Sequence, residues 1–214
     1  VLFEDLSEMI EEERFEDVIS ELKDEFDEID SHAAIDFTLA NFLVQEGQMG
    51  ESKPYYISAI RKFPEFLRAH KNLGLLEVQD GNFTSALTHL VKCVELGGAG
   101  GDLYGLIGYC YLNKELFASA LDSYRTALIF EPDSKDWRLG KAQCLLSLER
   151  FDDAIALLSE LIEMNQDQKD FWLFQANAYL ANEKPEMAAA NLSIVDKMKK
   201  ADSNSKLLLG DIYV

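Results

Sequence analysis

The chain repeats itself every 34 residues, without an insertion. Gly74 and Gly108 stand one period apart, and Gly210 falls three periods beyond Gly108. Ala142 and Ala176 fill the slots between them, and Ala40 precedes Gly74 by one period. A second column reads Ala86, Ala120, Ala154 and Ala188, with Ser52 ahead of them. A third reads Met49, Phe83, Phe117, Phe151 and Pro185, and a fourth Tyr56, Leu90, Tyr124, Leu158 and Leu192. A fixed period of about 20–50 residues marks a solenoid, because one such unit cannot bury its own apolar face and must close it against neighbours.

Each unit holds two apolar-periodic stretches of helical spacing joined by a short polar turn. In 101–134 the first runs from Asp102 to Asn113 and the second from Leu116 to Phe130. Asn113-Lys114-Glu115 breaks them, and Pro132 stops the second. Small residues at repeat positions 8 and 20 mark the place where the two helices cross, since a larger side chain would push them apart. Large residues at positions 17 and 24 fill the space beside that crossing. In unit 33–66 the spacing predicts Ser52 as the N-cap of the second helix, with Pro54 in its first turn, where proline is tolerated.

These columns resemble the tetratricopeptide repeat (TPR) family, whose pattern sets an aromatic near position 4, Leu-Gly at 7 and 8, Tyr at 11, Ala at 20, an aromatic at 24, Ala at 27 and Pro at 32. Unit 101–134 matches with Tyr104, Ile107-Gly108, Tyr111, Ala120, Tyr124, Ala127 and Pro132. Unit 67–100 supplies Leu73-Gly74, Ala86, Leu90 and Cys93, and unit 33–66 supplies Leu39-Ala40, Ala59 and Pro64. Unit 169–202 supplies Trp172, Ala176, Tyr179 and Ala188. Lys141 and Gln175 depart from it at position 7, and Trp137 stands one residue early. The resemblance implies an all-α fold, a right-handed superhelical solenoid of stacked antiparallel helix pairs. One domain then spans 1–214. Residues 1–32 form an atypical acidic capping unit with Phe15, Val18 and Leu22 in the second-helix columns. Repeats follow at 33–66, 67–100, 101–134, 135–168 and 169–202, and 203–214 begins a further one.

Formal net charge is −19. Residues 1–32 hold 14 acids against Arg14 and Lys23, or −12 of that total. A solvated outer face on a terminal repeat explains this, since nothing stacks on it; an acidic patch for a basic partner is the alternative. Nucleic acid is not an expected partner, because phosphate contact needs a surplus of Lys and Arg. No apolar run is long enough for a membrane span, so no membrane insertion is expected. The odd, dispersed set Cys93, Cys110 and Cys144 reads as small core residues and mildly favours a reducing, cytoplasmic compartment. Val1 and Val214 read as fragment boundaries, which leaves a removed signal peptide and neighbouring domains open.

No catalytic constellation stands out, so enzyme activity, a cofactor and a metal are not expected. His32, His70 and His89 occupy repeat positions 34, 4 and 23 and are not expected to converge, and His70 stands in the aromatic column as a packing residue. Gly97-Gly98-Ala99-Gly100-Gly101 precedes a helix but follows a helix rather than a strand, and Leu103 replaces the third glycine of a phosphate loop. It reads as a join between units, with Gly97 or Gly98 ending the preceding helix.

Function is therefore expected on a surface. Similarity to the family implies that positions 2, 5, 6, 9, 12 and 13 of each first helix line a concave groove. The candidate partner-binding residues are Phe37, Asn41, Lys71, Leu75, Tyr109, Leu112, Leu139, Gln143, Leu173, Phe174 and Asn177. A TPR subclass that grips the C-terminal carboxylate of heat-shock chaperones needs cations in this groove. The matching register here gives Phe37, Asn41, Asn72, Asp102 and Leu106, so that clamp is not expected. The mixed, largely apolar wall suits an apolar or amphipathic peptide segment of a partner protein. The alternative is an assembly role, in which the groove or the C-terminal end packs on another copy or on further repeats of a longer protein.

Overall fold

The computed structural model describes residue 9, residues 15–27 and residues 32–198. Among the described residues there are eleven α-helices and no strand: α1 Phe15–Asp27, α2 Ala33–Gln45, α3 Met49–Lys62, α4 Leu67–Gln79, α5 Phe83–Glu95, α6 Gly101–Asn113, α7 Phe117–Phe130, α8 Lys135–Ser147, α9 Phe151–Met164, α10 Lys169–Ala181 and α11 Pro185–Lys197. The expected start of a further repeat at 203–214 lies outside the described residues. The 34-residue period holds in space: every first helix occupies positions 1–13, and every second helix begins at position 17.

A single turn geometry makes the pairs. Position 15 adopts a left-handed backbone in all five units, at Gly47, Gly81, Glu115, Glu149 and Glu183. Its N–H, and that of the next residue, bond back to carbonyls of the last helical turn: Glu149 N–H to Leu146 O at 3.0 Å and Arg150 N–H to Leu145 O at 2.9 Å. This double closure satisfies carbonyls that the helix end would otherwise leave orphaned. Glycine takes the geometry freely, whereas the three glutamates hold φ of 56° to 59° against the Cβ clash. Gly97 closes α5 in the same way, with φ 85° and Gly98 N–H on Cys93 O at 2.8 Å.

The start of α3 differs from expectation. The helix begins at Met49, capped by Gln48, which carries Ser52 into its interior. Ser52 is fully buried in the small-residue column, and its hydroxyl donates to Met49 O at 2.7 Å. Crossing geometry outweighs capping preference at this residue. Pro54 consequently sits inside the helix rather than in its first turn.

The chain divides into two compact units, Val1–Ala99 and Gly100–Val214. In the first, Val18, Ile19 and Leu22 of α1 pack on Leu39 and Leu43. A second cluster joins Phe37, Ala40, Tyr56, Ala59, Ala69, Leu73 and Leu76. In the second unit, Tyr124, Ala142, Leu145, Leu158, Leu161 and Phe171 belong to one continuous core, and Ala176, Ala188 and Leu192 form another cluster. All three cysteines are buried free thiols. Burial pushes each up to about 11.

Trp137, one residue out of register, has a physical account. Its ring leaves no room for a side chain at Gly105, where an added Cβ would meet it at 2.4 Å. It also stacks on Tyr124, at 6.2 Å between centroids, and its indole N–H donates to Glu131 at 2.8 Å. Gly105, expected on the groove wall, is therefore covered.

Position 4 reaches toward the end of a second helix or the turn after it, with different chemistry in each unit. Asp36 is fully buried with Lys62 Nζ at 2.8 Å. Tyr104 stacks on Phe130, Arg138 donates to Pro132 O, and Trp172 donates to Gln166 O. His70 corrects the expectation that the histidines stay apart. Positions 4 and 23 face each other across a helix pair, and His70 Nδ1 lies 3.0 Å from His89 Nδ1. His70 Nε2 lies 3.1 Å from Pro64 O, which can only accept. With both rings neutral, His70 donates through Nε2 and accepts the His89 N–H at Nδ1.

Two outcomes follow from this architecture. Replacing Glu149 by Gly removes the left-handed Cβ penalty, partly offset by backbone entropy, and is expected to stabilise the fold by about 0.5–1 kcal/mol in urea denaturation. Burial, together with the His70 ring, holds His89 below the usual imidazole range despite the opposing pull of Glu77. As pH falls below about 6.5, the unfolded chain takes up a proton that folded His89 resists, so stability declines. The decline continues until the folded imidazole itself protonates. Urea midpoints across pH 5–7.5 are expected to show that decline, reduced in His89→Gln.

Candidate functional site

The expected groove residues lie on the first helices, and each unit presents its own stretch. In the first unit, α2, α3 and α4 line an open cavity of about 200 Å³, and the expected Asn41 and Leu75 are on its wall. Val44, Met49 and Leu76 supply the rest of its apolar wall. Its polar edge is a fixed triad. Tyr56 hydroxyl donates to Asn41 Oδ1 at 2.7 Å, and Asn72 Nδ2 donates to the same oxygen at 2.9 Å and to the Tyr56 hydroxyl at 3.2 Å. Burial pushes the Tyr56 phenol up, against the Asn72 hydrogen bond, so it stays a neutral donor.

These bonds orient both carboxamides. Asn41 must turn its oxygen inward, which leaves its Nδ2 hydrogens without a partner among the described residues. Asn72 spends its nitrogen, and its oxygen has no hydrogen-bond partner among the described residues. Both residues line the apolar cavity, so among the described residues one amide donor and one carbonyl acceptor are left over there, the two groups that a peptide unit pairs with.

Phe37 does not join this wall. It is buried, with its ring 4.7 Å from Phe66 and 5.8 Å from Tyr56, and Arg68 lies 5.2 Å over its face. A large ring at position 5 gains more by filling the helix crossing than by facing water. Lys71, half-buried on α4, is not among the cavity's lining residues.

In the second unit α6, α8 and α10 lie in a row, with α8 touching both neighbours. Leu112, Leu139 and Phe174 are half-buried against the main core, and Leu173 against the cluster of α10 and α11. Position 9 carries the polar groups: Tyr109, 42% exposed, half-buried Gln143 and exposed Asn177. The arrangement is an apolar strip edged by hydrogen-bonding side chains. Among the described residues no three His, Cys, Asp or Glu side chains cluster as metal ligands, and no helix is long and apolar enough to cross a membrane.

Comparison with known proteins agrees with this construction. Two family models, both described as tetratricopeptide repeat, match residues 37–91 and 111–178, and together they take in more than half of the chain. The chain belongs to the tetratricopeptide repeat family. Among solved structures it is similar to YrrB, described as a TPR protein with an unusual peptide-binding site, at 18% identity and a TM-score of 0.78, covering 89% of this chain and 97% of that one. A TPR protein from Parabacteroides merdae aligns at 18% identity and 0.70, over 99% and 84% of the two chains. The MamA protein aligns at 16% and 0.72, over 78% and 92%. These likenesses show the TPR fold. No curated protein sequence matches the chain.

One polar feature of this TPR chain had only a partial sequence signal, the departure at position 7. Gln175 is buried there, and its Nε2 donates to Ser159 Oγ at 2.7 Å and to Ile155 O at 3.2 Å. Its Oε1 accepts from Asn191 Nδ2 at 2.8 Å, so a closed network ties α9, α10 and α11 together. A lone Gln at a Leu position signals a buried polar layer only when its partners are known, and Ser159 and Asn191 lie 16 residues to either side. Gln175→Leu restores the apolar preference but strands the buried Asn191 amide. It is expected to cost about 1–2 kcal/mol in thermal or urea unfolding, with Gln175→Leu/Asn191→Leu recovering most of the loss.

Proposed function

We propose that this TPR protein is a non-catalytic interaction scaffold that holds an apolar or amphipathic segment of a partner protein along the inner face of its first helices. The observation that carries the reading is the α2–α4 cavity, where Asn41 and Asn72 offer an unused donor and acceptor beside Val44, Met49, Leu75 and Leu76. A partner side chain fills the apolar volume while its main-chain amide pairs with the two carboxamides. The likeness in fold to YrrB, itself described as having a peptide-binding site, supports the reading.

The energetics favour reversible binding. Three or four apolar anchors at ~2 kcal/mol each give a gross gain of ~6–8 kcal/mol. Ordering the segment and fixing the partners takes back much of it, which sets affinity in the micromolar range.

The test is selection of a random peptide library on the 214-residue chain, followed by affinity measurement against variants. Leu75→Glu and Asn72→Ala for the first unit, and Tyr109→Ala/Leu139→Glu for the second, are expected to weaken selected apolar peptides about tenfold or more. Ile57→Glu, at an exposed site on α3 outside the cavity, is the control. Equal binding by every variant removes the groove assignment.

A further inference from the structure

A second cavity, about 270 Å³, opens between α7 and α9 over α8. Lys141 and Leu145 come to it from α8, Arg125 from α7, Arg150 from the turn before α9, and Asp153, Ala156, Leu157 and Glu160 from α9, so three cations and two carboxylates line it. Lys141 is two residues from Leu139, which at 100° per residue turns it to the other side of α8 from the groove strip.

Lys141 is the position-7 residue of its unit. Leu39, Leu73 and Ile107 fill that position with buried hydrocarbon, and Gln175 fills it with a closed hydrogen-bond network. Lys141 does neither. Half-buried, it makes no hydrogen bond or ion pair among the described residues. This stands out in a chain with 39 acids and 20 bases, where carboxylates are plentiful.

The surrounding charges are already matched. Arg150 directs Nε and Nη2 to Asp153 Oδ2 at 2.8 and 2.5 Å. Arg125 Nη1 holds Asp122, outside the cavity, at 3.0 Å, and Glu160 faces Arg138 at 3.6 Å. The Lys141 ammonium is the surplus charge, and both guanidinium forks keep further N–H groups for an oxygen-rich ligand.

We propose that this cavity is a subsite for a phosphate-class oxyanion, held by Lys141 as a point charge and by the remaining N–H groups of Arg125 and Arg150. The ligand is a phosphate monoester or free phosphate. The site is independent of the inner groove, so the loss of either reading leaves the other standing.

The experiment is titration of the 15N-labelled 214-residue chain with inorganic phosphate at constant ionic strength, with chloride as the control. Saturable shifts confined to Arg125, Lys141, Arg150 and their neighbours are expected. Lys141→Met is expected to fold, because leucine fills the same position in other units, and to weaken phosphate by about tenfold. A parallel arm uses a phosphoserine peptide and its unphosphorylated form. Binding of phosphate and of the phosphopeptide at similar strength supports a free small anion. Tighter, phosphate-dependent peptide binding at the same residues supports a phosphorylated side chain on a partner. No saturable shift, or the same affinity in Lys141→Met, overturns the proposal and reduces Lys141 to a side chain extending its charge into water.

Discussion

The contact on which the second unit depends is that between Tyr124 and two glycines. Its ring, at position 24, is almost fully buried and lies against Gly108 of its own first helix and Gly140 of the next. An added Cβ would come to 3.0 Å from the ring at Gly108 and to 2.3 Å at Gly140. One wedge therefore sets the approach of α6 to α7 and of α7 to α8. In the first unit Leu90 bears on Gly74 in the equivalent place, where an added Cβ would meet it at 2.9 Å. Close packing tolerates little volume change at such a crossing, so the small residue and its large partner constrain each other. The period is the sequence record of that constraint.

This is why so much of the fold was legible. Helix pairing, the short turns and the small-to-large columns follow from local spacing, and both helices of 101–134 fall within a residue of their expected limits. What escaped was decided across helices. The period sets Ser52 in the crossing column, but its residue type and the nearby Pro54 favour a cap, and the fit of the neighbouring helix decides for the crossing. His70 and His89 are 19 residues apart, a separation that carries no meaning until positions 4 and 23 are known to oppose each other. Phe37 was assigned to the groove by its position, but ring size drew it into the core beside Phe66.

For the candidate site, the sequence assigned positions along the first helices and no geometry. Asn41 and Leu75 were expected on the inner wall, and both line the first-unit cavity. The orientation of the Asn41 amide was not readable. It depends on Tyr56, a column residue whose hydroxyl extends past the apolar crossing and locks the carboxamide from beneath. An aromatic that reads as filler in the sequence therefore also sets the polarity of the surface above it. Leu90, at the same position one unit later, has no hydroxyl with which to do so.

The sealed thiols give the molecule a property unrelated to binding. Cys93 lies in α5, Cys110 in α6 and Cys144 in α8, each with no accessible surface. While the helix pairs stay closed, neither a maleimide nor an oxidant has access to sulfur, and the thiolate is scarce near neutrality. Alkylation must then wait for a pair to separate. The chain thus carries one intrinsic reporter of local opening in each of three successive hairpins, and their relative labelling rates rank which hairpin breathes first.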